Sequence, residues 1–427
     1  MTKAAASAVA YEKLVIGKNG REYDISGADP YGARTTSFDY YESLLSPNIT
    51  ATMTLMDVGG SASYNTDYTT QERVGSLYNA LPISGQEEIK FKIGELDFSN
   101  TPLYVNGSVN LGQESNREAI ALSLVSKSAI SNQESTVFRK YNNNIGNSVK
   151  SLINEYLKIP QNKIRIDPTK NSYSFIGNSN SVFEVICSLA SKSVPENGDP
   201  GYFFYETKDG FNFRSIDKLI SQQPINNTPY FRTDKLESGV ETNQNDYKIS
   251  RFSINKNQDL INALKSGVYY TRNIFWDPRT FTYEEIIYKL EDNKITSLGK
   301  SPIVPDVNSF CRTLYRIKDI GTLNSEVTGD VNNDPKEWQA KSAMRYNLLF
   351  TQVISIQVPC NTKLKAGDVI KCDFEIVTQG QKQVGTSDPV QSGNYLIVNL
   401  CHHFDPLRSF TSMTVVRDTY GLYTGKK

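Results

Sequence analysis

The chain has 427 residues, enough for two to four domains with ample core, and its 46 Lys and Arg balance 46 Asp and Glu to no net charge. A neutral chain has no global electrostatic reason to sit on nucleic acid or an anionic membrane, and two histidines leave little material for acid–base or metal chemistry near neutral pH. No stretch approaches the ~18 apolar residues of a membrane span; five widely spaced cysteines without a CxxC favour free buried thiols; and the leader-like start MTKAAASAVAYEK regains charge at Glu12, so the chain reads as soluble and made in a cytoplasm.

Residues 1–10 read as a loose arm. Asn19-Gly20 between 11–16 and 22–25 predicts a hairpin. Tyr40 to Leu44 leads into ITATMTLMD (49–57), whose alternation marks a half-buried antiparallel strand. Residues 59–70, rich in Gly, Ser, Asn and Thr, read as an exposed loop. LPISGQEEIKFKI (81–93) has an apolar entry and a turn at Gly85. Ile89, Phe91 and Ile93 then alternate with Lys90 and Lys92. Residues 103–127, with Tyr104 and Arg117, give a strand, a polar reversal and a second strand.

The character then changes. Residues 148–159 place Val149, Leu152, Ile153, Tyr156 and Leu157 on one helical face, ended by Pro160. Residues 181–194 do the same with Val182, Val185, Ile186 and Leu189, with Asn180 or Ser181 as N-cap. GYFFYETKDGFNFRSID predicts a hairpin around Asp209-Gly210. After a polar connection over 222–241, strands are predicted at 247–254, 267–276, 281–290 and 310–317, a short helix at 258–265, and a short return at 295–298. Residues 301–308 carry two prolines and 326–333 form a polar loop. Asp334 caps a helix over 336–347, with Pro335 at its first position.

The last stretch, 348–418, is again β. Ile354, Ile356 and Val358 alternate with Ser355 and Gln357. Lys365-Ala366-Gly367-Asp368 is a turn in which Gly367 can take a positive φ. Ile370, Cys372, Phe374 and Ile376 share one parity; Lys371, Asp373 and Glu375 share the other. Tyr395–Asn399 pairs with Ser412–Val416 across a reversal ending at Arg408. Tyr104 to Arg117 is the same step as Tyr395 to Arg408, and the second and third strands are separated by a longer loop in the C-terminal set. Either the chain carries two copies of one barrel, or the likeness is that of any alternating strands.

The usual chemical signatures are missing. Gly329 to Asp334 imitates a calcium loop in part, but Pro335 and Lys341 fall where Gly and Glu are needed, and a helix cap explains Asp334 better. Cys401, His402 and His403 are consecutive, and on a strand His402 faces opposite to its neighbours, so they cannot converge on one tetrahedral metal without more ligands nearby; a turn-edge pair explains them. No phosphate loop, GxSxG elbow or HExxH occurs. No catalytic residue, cofactor or metal is expected. Lys90, Lys92, Lys371, Asp373 and Glu375 are outward strand positions, either plain solvated faces or parts of a lumen or protomer interface.

The order of these pieces resembles the baseplate central hub proteins of contractile-tailed bacteriophages. LKAGDVIKCDFEI, SGNYLIVNLCHHF and SMTVVRD are similar to their closing module, and YYESLLSPNITATMTLMD with LPISGQEEIKFKI to their opening. The resemblance covers nearly the whole chain. It implies a β-rich α+β protein with two similar tube-like antiparallel β-barrels, at 11–127 and at 222–276 with 337–422. An α+β domain is inserted at 128–221 with 277–336. The barrel motif would rest on Gly85, Ile89, Phe91, Tyr104 and Arg117, and on Gly367, Asp368, Ile370, Tyr395 and Arg408.

The same resemblance implies a homotrimer in the virion, assembled in the host cytoplasm. Its pseudo-sixfold ring would join a hexameric tail tube protein to a trimeric tail spike protein, beside baseplate wedge proteins. Its bore would pass the tape measure protein and later DNA. Lysozyme activity belongs, in some such systems, to the spike, and none is expected here. Two alternatives remain: the hub of a contractile injection or secretion apparatus, which predicts a fused spike after the second barrel where this chain stops at Lys427, and a β-rich carbohydrate-binding or adhesin module, which predicts an exposed aromatic platform and a secretion signal.

Overall fold

The structure is a computed structural model that describes every residue except 1–9, 29–31, 61, 66–71, 82, 115–116, 233–245, 279, 293–294, 300–311, 319–334, 377–386 and 420–427. Its frame is one 14-stranded sheet. The N-terminal half contributes β1 (Lys13–Lys18), β2 (Arg21–Asp24), β3 (Arg34–Ser43), β4 (Thr50–Asp57), β5 (Glu88–Ile93), β6 (Leu103–Glu114) and β7 (Arg117–Val125). The predicted β1–β2 hairpin is present, with Asn19 and Gly20 at φ 54° and 83°, the left-handed pair that a two-residue reversal between twisted strands needs.

Next come α1 (Ile145–Leu152), α2 (Val182–Ala190), the hairpin β8 (Tyr202–Thr207) and β9 (Gly210–Ser215), and α3 (Ile216–Ile220). The apolar face read from the sequence is buried: Val149, Leu152 and Ile153 pack with Val182, Val185 and Ile186. Ser181 and Glu184 close a capping box on α2, which satisfies two backbone N–H groups at that end. The chain continues through β10 (Tyr230–Arg232), β11 (Arg251–Asn257), β12 (Tyr270–Asp277), β13 (Thr282–Lys289), β14 (Arg312–Ile317), α4 (Pro335–Leu349), β15 (Gln352–Pro359), β16 (Val369–Phe374), β17 (Gly393–Phe404) and β18 (Ser409–Arg417).

The large sheet runs β11-β15-β18-β17-β3-β4-β7-β6-β5-β1-β2, with β16 beside β17 and β10 beside β16. Two sets of five strands within it have the same pairing. β7 lies between β4 and β6, with Leu122 opposite Met53 and Ser108. β18 lies between β15 and β17, with Met413 opposite Ile356 and Leu400. β3 flanks β4, with Phe38 opposite Met53, as β11 flanks β15, with Phe252 opposite Ile356. β5 meets β6 at Ile89 and Leu103, as β16 meets β17 at Ile370 and Tyr395. Each set closes its own apolar core, one around Phe38, Phe91 and Leu122, the other around Ile356, Ile370 and Met413.

These pairings put Ile89 and Ile370 in equivalent places, as the sequence suggested. They correct the match of Tyr104 to Tyr395: the partner of Ile370 is Tyr395, and that of Ile89 is Leu103. The counts to the arginines agree because β6 and β7 carry two register shifts where β17 and β18 carry one, and a bulge adds one residue to a strand.

Other expectations need correction. β12, placed by the sequence in the second barrel, pairs with β13 and β14 in a separate three-stranded sheet. Within 59–70 the chain makes a strand, Ala62–Asn65, paired with Glu72–Gly75. Residues 295–298 form no strand. The strand expected at 247–254 is displaced to β11, and Lys127–Glu134 is an unexpected helix. Cys187, Cys360, Cys372 and Cys401 are free, but Cys187 is exposed. The arm over 1–9, the two prolines in 301–308, Cys311, the calcium-like loop and Asp334 lie outside the described residues.

Candidate assembly surface

Alternation gives the large sheet a second face, covered at one end, where Val416, Leu396 and Val369 pack on Phe203 and Leu219 of the inserted unit, and open along the rest among the described residues. Positions that point away from the cores include Tyr41, Ser43, Ser253, Ser355, Gln357, Asn399, Cys401, Ser412 and Thr414, which with Arg251 line an open groove of about 930 Å³ across β3, β17, β18, β15 and β11. On the neighbouring strands the same face carries Thr52, Thr54, Ala119, Ala121 and Ser123, none of them fully buried. Hydroxyl, amide and methyl groups dominate; Arg251, Arg117, Asp39 and His403 are exceptions on these strands. Such a wall offers hydrogen bonds to water and little fixed charge.

The two five-strand sets meet where β3 pairs with β17, from Ser43 opposite Asn399 to Phe38 opposite Phe404. Phe38 stacks on Phe404 and Tyr40 on His402, each at 6.1 Å between ring centres. His402 faces inward, where burial pushes it down to about 3 and keeps it neutral, with Nδ1 at 2.9 Å from the Thr411 hydroxyl. His403 faces the other way, 2.6 Å from Asp39. Adjacent strand residues thus point to opposite faces, as the consecutive-histidine argument required.

Buried polar groups bolt the inserted unit to both sets. Glu42 on β3 is 2 % exposed. Its carboxylate accepts hydrogen bonds from the Lys208 amide at 2.7 Å, the Tyr40 hydroxyl at 2.8 Å and the Ala366 amide at 2.9 Å. One side chain of the first set thereby holds the β8–β9 turn and the turn before β16. Burial pushes Glu42 up to about 7, against the pull of these donors. Arg345 on α4 is fully buried between Asp217 at 2.7 Å and Asp418 at 3.0 Å. Sequence reading missed both. Glu42 sits at a core-facing position of the β3 alternation, and Arg345 interrupts the apolar positions of a helix; a charge on a buried stripe was the available signal.

The positions singled out beforehand divide. Ile89, Phe91, Ile370 and Tyr395 are core. Gly85 takes φ 105° and its amide donates to the buried Glu87 carboxylate at 3.0 Å. Gly367 takes φ 86°, and a Cβ there would stand 2.4 Å from the Tyr205 hydroxyl, so the turn and the inserted hairpin touch. Asp368 accepts from the Lys365 amide at 3.1 Å, and burial pushes it up to about 6. Tyr104 lies 3.5 Å from Glu88 through its hydroxyl. Arg117 opens β7, and Arg408 lies over Phe410 at 5.7 Å.

Lys90, Lys92, Lys371, Asp373 and Glu375 do not line the groove. Lys90 pairs with Glu22 at 2.7 Å and Lys92 with Glu12 at 2.9 Å. Lys371 is held through its backbone by Asn226, at 2.8 Å and 2.9 Å, and Asp373 accepts from Ser392 at 3.1 Å. Glu375 is exposed and bridges to Ser387 through its backbone.

No protein-family model matches the sequence, and no curated protein matches it. Solved structures do match along nearly the full length. The 43 kDa tail protein of prophage MuSo2 from Shewanella oneidensis is similar at a TM-score of 0.54 and 10% identity, over 95% of this chain and 98% of that one. A tail protein from Neisseria meningitidis MC58 is similar at a TM-score of 0.54 and 11% identity, over 96% of this chain and 97% of that one. The chain therefore shares the β-rich fold of these two tail proteins, in keeping with the fold class that the sequence resemblance implied.

Proposed function

We propose that the protein is the trimeric central hub of a phage tail baseplate, a structural virion component without enzymatic activity. The observation that carries this reading is the doubled five-strand set. Three chains with two sets each present six near-equivalent elements, so a threefold object can meet a sixfold one, and closed rotational symmetry is the usual way soluble copies assemble. One face of the ring would receive the hexameric tail tube and the other the trimeric spike, with wedge proteins outside. The ring would be built from residues 11–127 and from those parts of 222–422 that join the large sheet. The inserted unit and the β12–β14 sheet would stand outside it.

The sparsely charged groove on the sheet fits the wall of a bore through which the tape measure and then DNA pass. A polyanion binds where cations replace its counterions, and this face has few. Assembly in the host cytoplasm precedes incorporation into the tail. The test is sedimentation velocity of the purified chain followed by cryo-EM: a trimer with a wide central hole is expected, and a compact monomer at every concentration overturns the reading.

A further inference from the structure

We infer that β6 of one copy pairs antiparallel with β11 of the next, repeating between chains the β3–β17 junction found within one. This rests on the ring proposed above and names the strands that close it. β11 and β3 hold the same place in their two sets, as do β6 and β17. Within the chain, β17 pairs with β16 along its first residues and with β3 from Asn399 to Phe404. β6 pairs with β5 only at Leu103 and Tyr104. Among the described residues, its later part has no strand on that side. β11 ends the sheet, with β15 on one side and no strand on the other among the described residues.

An open edge presents unpaired N–H and C=O groups and is a template for another strand. These edges also expose apolar side chains: Val109 at 62 %, Leu111 at 59 % and Ile254 at 38 %. The partner each edge lacks is the one its counterpart already has. A second copy of this chain carries the complementary edge, and the contact is head-to-tail, the kind that closes into a ring when its rotation permits.

The register follows from the shared partners. His403 opposes Asp39 within the chain. Through Phe410 and Ala119, His403 corresponds to Gly112; through Thr52 and Ser355, Asp39 corresponds to Ser253. Gly112 of one copy should therefore face Ser253 of the next. A Cβ at Gly112 meets nothing within 4 Å, Ser253 is exposed, and directly opposed strand residues lie within disulfide reach.

The test is the double variant Gly112→Cys with Ser253→Cys in the full chain, oxidised with copper phenanthroline and run on a non-reducing gel. A covalent trimer that reductant returns to single chains is expected, while each single variant and the wild type stay at single-chain mass. Gly112→Cys with Arg251→Cys, two residues out of register, should link poorly. A trimer in sedimentation without the link overturns this pairing and leaves the hub reading standing. Efficient linking at the shifted pair overturns the register. Linked ladders without a trimer support the pairing and overturn the ring size; a chain that stays monomeric overturns both. Hydrogen exchange on the wild type checks folding artefacts: amides of 108–112 and 252–256 should exchange more slowly in the assembled protein than after dilution, and equal rates count against the pairing.

Discussion

Glu42 lets the cost of the inserted unit's attachment be read against pH. Its ordinary value is 4.5 and burial raises it to about 7. The folded state therefore holds a proton that the unfolded chain releases. Stability falls with rising pH wherever the native state binds more protons, so the group's contribution is complete below 4.5 and lost as pH climbs to about 7. At about 1.4 kcal/mol per pH unit, that window is worth about 3 kcal/mol. Glu42→Gln removes the titration. Its single carbonyl can serve the donors at one oxygen, but its NH₂ then faces the amide of Ala366 or Lys208, a loss of about 1–3 kcal/mol at every pH. Urea unfolding of both proteins from pH 4.5 to 8 should show wild type ahead in acid and its lead shrinking by about 3 kcal/mol across the window. A difference that stays flat with pH would refute the assignment of the proton to Glu42.

Three further substitutions test the packing. Arg345→Met should destabilise by about 3–5 kcal/mol, because Asp217 and Asp418 are left buried without their cation; adding Asp217→Asn and Asp418→Asn should recover most of it, read by urea melts. Gly367→Ala should cost at least about 1–2 kcal/mol from its left-handed φ alone, plus the clash with Tyr205, and Tyr205→Phe should return part of the second component only. Ile89→Ala and Ile370→Ala each remove a fully buried side chain from equivalent strands and should each cost about 2–5 kcal/mol; a large loss at one and none at the other would contradict equivalent packing.

The cores were readable because alternation survives in the strands that build them. Ile89 with Phe91, and Ile370 with Cys372 and Phe374, keep strict period two, and one face of each strand is buried. β3 was harder: its buried positions are Thr35, Phe38, Tyr40 and Glu42, so hydroxyl and carboxyl groups stand where apolar ones mark a strand. The count that matched Tyr104 to Tyr395 was one residue out because a bulge adds length without changing composition. The place of β12 was not legible at all. A strand of aromatic and β-branched residues suits any sheet, and only its partners β13 and β14 decide which. The candidate surface was least visible, since Ser, Thr and Asn on a sheet face carry no spacing signal.

The two sets are alike in pairing but not in what lines their edges, and this bears on why a ring of such sets would count in threes. Within the chain the junction stacks Phe38 on Phe404 and Tyr40 on His402, and Glu42 locks it to the inserted hairpin. At the inferred junction between chains, the same correspondence puts Ile254 where Tyr40 stands and Asn110 where His402 stands, with Asn257 in the place of Glu42. Stacked rings add about 0.5–1.5 kcal/mol beyond the area they bury, and that contribution is missing there. The in-chain junction is thus aromatic, whereas the inferred one would combine aliphatic and amide side chains and form on assembly. A ring alternating the two would keep whole chains as its building unit; its sixfold likeness would lie in the backbone pairing while its side chains repeated every second set.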